Sequence, residues 1–238
     1  MQILSHNDDY IFVNKPSGML TIPDRHNAEL PSVVGNLRKQ FEKIFIVHRI
    51  DKDTSGCLVF AKHEDAHRHA SILFETRQVS KKYLGLVHGS MPQEQGMVKD
   101  RIMEHSTVPG KMIVNAKLGK EAITEYLVKD NFRGYSLVEY TIHTGRMHQI
   151  RLHSANLGAP IICDPIYGTN KAILVSDIKR KPYKLDDKLE QEIPILNRLA
   201  LHSHSISFID LAGQTVGAEA PLHKDMSATL KQFDKWGR

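Results

Sequence analysis

Residues 44–61 read Ile44-Phe45-Ile46-Val47-His48-Arg49-Ile50-Asp51-Lys52-Asp53-Thr54-Ser55-Gly56-Cys57-Leu58-Val59-Phe60-Ala61. Ile44 to Val47 and Cys57 to Ala61 are short apolar runs of the length and content of buried strands. Between them, residues 48–56 hold two acids, three basic side chains, two hydroxyls and a glycine. Asp, Thr, Ser and Gly are common turn formers, so a plain turn is one reading. A plain turn does not call for His-Arg directly after a core strand. The segment is therefore a candidate site held between two strands.

Working outward, Tyr10 to Val13 is a further β-rich run that ends in the turn residues Asn14-Lys15-Pro16-Ser17-Gly18. Pro31-Ser32 can cap a helix through Val33, Val34, Leu37 and Phe41. A helix is expected over Glu64–Gln78, with Ala66, Ala70, Leu73 and Phe74 on one side, and a strand over Lys82–His88. Residues 91–119, rich in Pro, Gly and Met, read as an irregular excursion. Ala122, Thr124, Tyr126 and Val128 alternate as a strand, Gly134 supplies a turn, and Tyr135–His143 is a strand again. Arg146–Leu157 is helical in pattern and stops at Gly158 and Pro160. Residues 176–194 read as a charged surface insertion, and Leu199–Phe208 as a late strand. Many strands without intervening helices predict a mixed, mainly antiparallel sheet.

Two more polar clusters interrupt apolar elements. The first, His143-Thr144-Gly145-Arg146-Met147-His148-Gln149-Ile150-Arg151, places Arg151 at the edge of a helical face formed by Met147, Ile150, Ser154 and Leu157. An arginine aimed at a core needs a carboxylate or a phosphate. Asp51 and Asp53 need a cation, and residue chemistry leaves the choice between them open. In the second, Lys81-Lys82-Tyr83-Leu84-Gly85-Leu86-Val87, a tyrosine has a glycine as its same-face neighbour, which leaves room beside the ring for a stacked base. His63-Glu64-Asp65-Ala66-His67 fits the H-E-x-x-H zinc pattern, but its charged neighbours read as a solvated helix start.

A net charge of +5 on 238 residues suits a polyanionic partner without demanding one. Two cysteines, Cys57 and Cys163, form no C-x-x-C pair, which excludes a zinc ribbon and fits a reducing cytoplasm. No apolar run reaches the length of a membrane span, and the start of the chain is neither a signal nor a transit peptide.

Together the clusters resemble the RluA-type family of RNA pseudouridine synthases. The family signature H-R-L-D followed by T-S-G matches His48-Arg49-Ile50-Asp51 and Thr54-Ser55-Gly56, with Ile50 where Leu is usual. An earlier motif resembles Val13-Asn14-Lys15-Pro16-Ser17-Gly18, and a later one Lys82-Tyr83. A further one resembles Thr144-Gly145-Arg146-Met147-His148-Gln149-Ile150-Arg151-Leu152-His153, continuing to Gly158, Pro160, Asp164 and Tyr167-Gly168, with Met147 where a small hydroxyl residue is usual.

The resemblance implies an α+β fold with a mixed, mainly antiparallel central sheet and flanking helices. It implies one catalytic domain over 1–238, without an appended N-terminal RNA-binding domain. It assigns Asp51 as nucleophile, Arg151 as the cation that keeps it ionised, and Tyr83 as the ring that stacks on uracil and can take the carbon 5 proton. Arg49, His48, Thr54, Lys82 and Gln149 are expected to bind substrate RNA around an extruded nucleotide. Lys15, Lys52, Lys81 and Lys82 are candidate phosphate contacts. No cofactor, no metal and no obligate protein partner is implied; the partner is rRNA or tRNA. Segments 20–30, 91–119 and 170–195 are expected to select the target. Two rival readings are an inactive RNA-binding protein of the same fold and a zinc hydrolase using His63 and His67.

Overall fold

The computed structural model describes residues 1–25, 27, 29–180 and 191–238. In chain order the elements are β1 (Gln2–His6), β2 (Tyr10–Lys15), α1 (Val33–Leu37), β3 (Phe45–Ile46), β4 (Ser55–Ala61), α2 (Glu64–Glu75), β5 (Ser80–His88), β6 (Gln95–Glu104), β7 (Met112–Val114), β8 (Lys120–Phe132), β9 (Tyr135–Ile142), α3 (Gln149–Asn156), α4 (Val175–Lys179), β10 (Leu201–Ile209), β11 (Thr215–Glu219) and α5 (Lys224–Trp236). They form an α+β protein rich in antiparallel pairs. The chain divides into two compact units. The first comprises Met1–Leu84, Thr141–Met147 and Leu201–Pro221; the second comprises Gly85–Tyr140, His148–Ala200 and Leu222–Arg238.

In the first unit the strands lie in the order β1-β2-β4-β10-β5, with β3 beside β4 and β11 beside β10. Every residue of β2 and β4 is buried. That accounts for their near-continuous apolar sequences, since a strand covered on both faces has no reason to alternate. Tyr10, Phe12, Cys57, Val59 and Ala61 pack with Ala66, Ala70 and Leu73 of α2 and with Ile206 and Phe208 of β10. Ser32 caps α1 as expected, its hydroxyl accepting from Gly35 N–H at 3.0 Å. Ile44–Val47 proves to be an edge rather than a buried strand: only Phe45 and Ile46 pair, and Ile46 is exposed.

His63 and His67 are accounted for by packing. His63 caps α2, its Nδ1 accepting from Ala66 N–H while Nε2 meets Asp9 Oδ1 at 2.8 Å. His67 Nε2 lies 3.2 Å from the Ile46 carbonyl. Among the described residues no group of three or more His, Cys, Asp or Glu could hold a metal ion, and no helix is long and apolar enough to cross a membrane.

In the second unit the order is β5-β9-β8-β6-β7. Here the structure corrects the sequence reading. Residues 91–119 contain two regular strands: β6 runs antiparallel to β8 from Gln95 opposite Leu127 to Ile102 opposite Lys120, and β7 extends the sheet. Of β6 only Ile102 is fully buried, so its sequence shows no alternation strong enough to read. Helix α3 begins at Gln149 rather than Arg146, because His148 takes the left-handed conformation (φ 54°). Its residues Gln149 to Ser154 are all buried, so it has no single apolar face. Residues 181–190 of the expected insertion lie outside the described residues, while α4 covers its start. β1, β11 and α5 fall outside the sequence reading altogether.

Candidate active site

The Asp51 loop connects β3 to β4 and is held from beneath by the Asn14–Gly18 turn. Lys15, on the last residue of β2, is fully buried, and its ammonium donates to the carbonyls of Pro16 (3.1 Å), Met19 (2.8 Å) and Lys52 (2.7 Å). Ser17 Oγ donates to Asp53 O at 2.6 Å, and Gly18 N–H donates to Lys52 O at 2.9 Å. Thr21 Oγ1 donates to Ile50 O at 3.0 Å. The backbone on both sides of Asp51 is thus fixed by a separate strand and turn. At the far end Ser55 Oγ meets His202 Nδ1 at 2.9 Å, and His202 Nε2 meets the Ala220 carbonyl at 3.1 Å. A carbonyl only accepts, so Nε2 carries the proton and, in the neutral ring, Ser55 donates to Nδ1.

The two acids of the loop are in different surroundings. Asp53 and Lys52 are exposed, whereas Asp51 is half-buried and its charge bears on the phenol of Tyr83. Tyr83, on β5, is buried to 7% exposure, with the Ser203 side chain near enough to bear on its phenol. Burial, joined by the charge of Asp51, holds its phenol well above the ordinary range despite the lowering effect of Ser203.

Of the expected RNA-binding residues, Arg49 is exposed and Lys82 half-buried, while Thr54 is buried where β4 begins. His48 is committed within the fold. Its ring stacks on Phe74 (centroids 4.7 Å apart), and its Nε2 accepts from Val59 N–H at 3.1 Å. An accepting Nε2 bears no proton, so the ring is neutral with its hydrogen on Nδ1. Burial and then the nearby Lys81 charge push its pKa down to about 3. Lys81 is no phosphate contact: it is buried at 7% exposure, its ammonium 5.4 Å over the Phe74 ring, and burial lowers its pKa to about 8. Lys15, equally, is an anchor of the loop rather than a surface charge.

In the second unit, Arg151 on α3 is 4% exposed and makes a two-pronged pair with Asp164, Nε to Oδ2 and Nη2 to Oδ1, both at 2.7 Å. Asp164 is fully buried. Burial would raise its pKa, but the Arg151 hydrogen bonds and charge, with N–H donors from Ile166 and Tyr167, outweigh that and hold it below the usual carboxylate range. The Arg151 guanidinium lies 5.3 Å over the Tyr167 ring, whose hydroxyl accepts from Met112 N–H at 2.7 Å. Gln149 is also committed: its amide nitrogen donates to Ile123 O (3.0 Å) and Thr124 Oγ1 (2.9 Å), docking α3 on β8. Asp164 and Tyr167 carried a signal only as the tail of a motif. Lys15, Ser203 and His202 carried none that assigned a contact.

The first unit thus brings together a half-buried carboxylate on a braced loop and a buried tyrosine on which its charge bears. Residues 9–156 match the family model described as RNA pseudouridylate synthase. The chain is 32% identical to ribosomal large subunit pseudouridine synthase D of Zymomonas mobilis over 98% of its own length and 73% of that protein. It is 32% identical to the uncharacterized RNA pseudouridine synthase YlyB of Bacillus subtilis over 100% of its length and 74% of that protein. The solved structure of human RNA pseudouridylate synthase domain containing 4 superposes with a TM-score of 0.73 at 25% identity, covering 98% of this chain and 93% of that one. The chain belongs to the RNA pseudouridylate synthase family. Within it the chain is of the RluA type, an isomerase that acts on RNA.

Proposed function

We propose that this enzyme isomerises a specific uridine of ribosomal RNA, with transfer RNA as the second candidate substrate, and that Asp51 is its nucleophile. The names of several relatives, ribosomal large subunit pseudouridine synthases, support the ribosomal choice. The observation that carries the assignment of Asp51 over Asp53 is position: Asp51 is the half-buried acid whose charge reaches Tyr83, while Asp53 faces solvent. In the reaction the bond from uracil N1 to the sugar breaks, the base turns, and carbon 5 bonds to the sugar. The carbon 5 proton leaves and N1 gains one, so atoms balance without a cofactor. The carboxylate acts on the sugar, either by attack or by taking a proton from it.

Tyr83 offers its ring to the uracil and Arg49 its charge to the RNA around the extruded nucleotide. Lys82 and Thr54 complete the binding set, with His48 and Gln149 contributing by fixing the elements that carry the others. Arg151 is assigned to catalysis by the family motif, and its rigid pairing with Asp164 supports that role by orienting the guanidinium. A cytoplasmic site of action belongs to this reading. The test is tritium release from ribosomal and transfer RNA labelled at uracil carbon 5. Wild type and Asp53→Asn are expected to release it, and Asp51→Asn is not. Release by Asp51→Asn would remove Asp51 from the chemistry. RNA binding without release by wild type would make the chain an inactive binding protein.

A further inference from the structure

His202 of β10 belongs to none of the motifs, yet it is fully buried against the start of β4. β10 runs parallel to β4, with His202 opposite Ser55 and Ser203 opposite Gly56. Those are the residues at which the Asp51 loop becomes a strand. At so short a contact the side chains carry much of the hold. Ser203 Oγ donates to the Cys57 carbonyl at 3.0 Å. Ser55 Oγ, itself fully buried, meets His202 Nδ1 at 2.9 Å.

The imidazole is oriented from its other side. Its Nε2 lies 3.1 Å from the Ala220 carbonyl, which can only accept, so Nε2 carries the proton. In the neutral ring Nδ1 is then an acceptor, and the Ser55 hydroxyl is its donor. Ala220 is itself fixed: its N–H donates to the His204 carbonyl at 2.7 Å, just beyond β11. The contacts therefore run from the β10–β11 pair through the ring to Ser55, the first residue of β4. Lys15 and Ser17 hold the loop at the carbonyls of Lys52 and Asp53, and His202 holds its exit.

We infer that His202 is a positioning residue for the nucleophile: by accepting from Ser55 it fixes the end of the loop that presents Asp51. This rests on the reading of Asp51 as nucleophile. The two ring nitrogens do different work, Nδ1 for the loop and Nε2 for the sheet, and they can be removed one at a time. An asparagine at this position presents an acceptor in place of Nδ1 and reaches no further. A glutamine presents a donor in place of Nε2 and has a carbon where Nδ1 was.

The experiment compares wild type, Ser55→Ala, His202→Asn, His202→Gln and the double variant Ser55→Ala with His202→Gln. It reads kcat and KM for pseudouridine formation, the thermal midpoint, and hydrogen exchange at the backbone amides of residues 51–55. Ser55→Ala and His202→Gln are each expected to lower kcat about fivefold to tenfold with KM little changed, and the double variant no further. His202→Asn is expected to restore most of kcat while still lowering the thermal midpoint, since the Ala220 carbonyl loses the Nε2 donor. Loop exchange is expected to quicken in Ser55→Ala and His202→Gln and to stay near the wild-type rate in His202→Asn. Equal losses of kcat in the Asn and Gln variants, or losses that simply follow the thermal midpoint, would reduce His202 to a filler of the core and overturn the inference. Unchanged kcat and loop exchange in folded Ser55→Ala would do so as well. If wild type makes no product, or Asp51→Asn still makes it, the nucleophile reading fails, and loop exchange still decides whether His202 holds the segment.

Discussion

The ammonium of Lys15 lies 2.7 Å from the carbonyl oxygen of Lys52, the residue that follows Asp51. A buried lysine turned onto three carbonyls is a costly way to fill space, since the charge leaves water. Its return is a loop whose backbone is fixed around Asp51. Lys15→Met keeps the volume and removes the donor. It is expected to cost about 3 kcal/mol in urea unfolding, from the loss of charge-assisted bonds to buried carbonyls. It is also expected to lower kcat at least tenfold under conditions where the protein stays folded. Unchanged kcat in folded Lys15→Met would show that the loop holds its shape without this brace.

Gly56 and Gly134 both have positive φ, +111° and +82°, but only Gly56 is pressed against another strand. Gly134→Ala meets nothing within 4 Å and bears only the left-handed backbone penalty, about 1 kcal/mol. Gly56→Ala must push β4 off Ser203 and is expected to cost more than about 4 kcal/mol. Thermal denaturation of the pair checks this, and similar losses for both would mean the β4–β10 contact yields easily.

The neutral state of His48 makes part of the stability depend on pH. Its folded pKa, about 3, lies below its ordinary value of about 6.5. Between those values the unfolded chain binds a proton that the folded one refuses. Stability from this group is therefore intact above about pH 6.5 and is lost as pH falls toward 3. His48→Gln, which can still accept from Val59 N–H, is expected to flatten the fall of unfolding free energy over that window. An equally steep fall in the variant would place the acid sensitivity in other groups.

Asp164 acts in a lower window. Its carboxyl is held below the usual range, so its contribution is complete above about pH 3.9 and is lost as pH falls through the lowered folded value. At neutral pH, Asp164→Asn replaces the two-pronged carboxylate pair with a single neutral amide acceptor and is expected to cost about 3 kcal/mol. Calorimetric unfolding of the variant at neutral pH measures it. A loss below about 1 kcal/mol would mean the guanidinium finds water instead.

What could be read without the structure follows from how strongly each feature constrains sequence. β2 and β4 are buried on both faces and show as apolar runs; α2 has one covered face and shows its period. The Asp51 loop was legible as a candidate site because its polarity is anomalous between such strands. The bracing was not. Lys15 and Lys81 look like solvated charges, because a sequence does not say which lysine turns its ammonium onto carbonyls or an aromatic ring. Arg151 announced its need for an acid, and the acid that takes it in its own unit is Asp164, a residue of the motif's tail. Ser203 is one hydroxyl in an alternating strand, and its bond is to the carbonyl of Cys57, more than a hundred residues away in the chain.

The stretch 91–119 gives the sharpest reversal and the last test. Its composition suggests a loop whose partial deletion would harm RNA selection more than folding. The structure instead places β6 beside β8 along eight paired positions, Gln95–Ile102 against Lys120–Leu127, and sets Ile102 and Met112 in a core with Ala122 and Leu152. Leu152 is the neighbour of Arg151 on α3, so removing β6 and β7 uncovers the helix that carries the arginine. Replacing residues 95–114 with a short Gly-Ser linker is expected to abolish cooperative thermal unfolding and, with it, product formation on every RNA. A sharp transition near the wild-type midpoint, with activity redistributed among RNA targets, would return this hairpin to the role of a specificity loop.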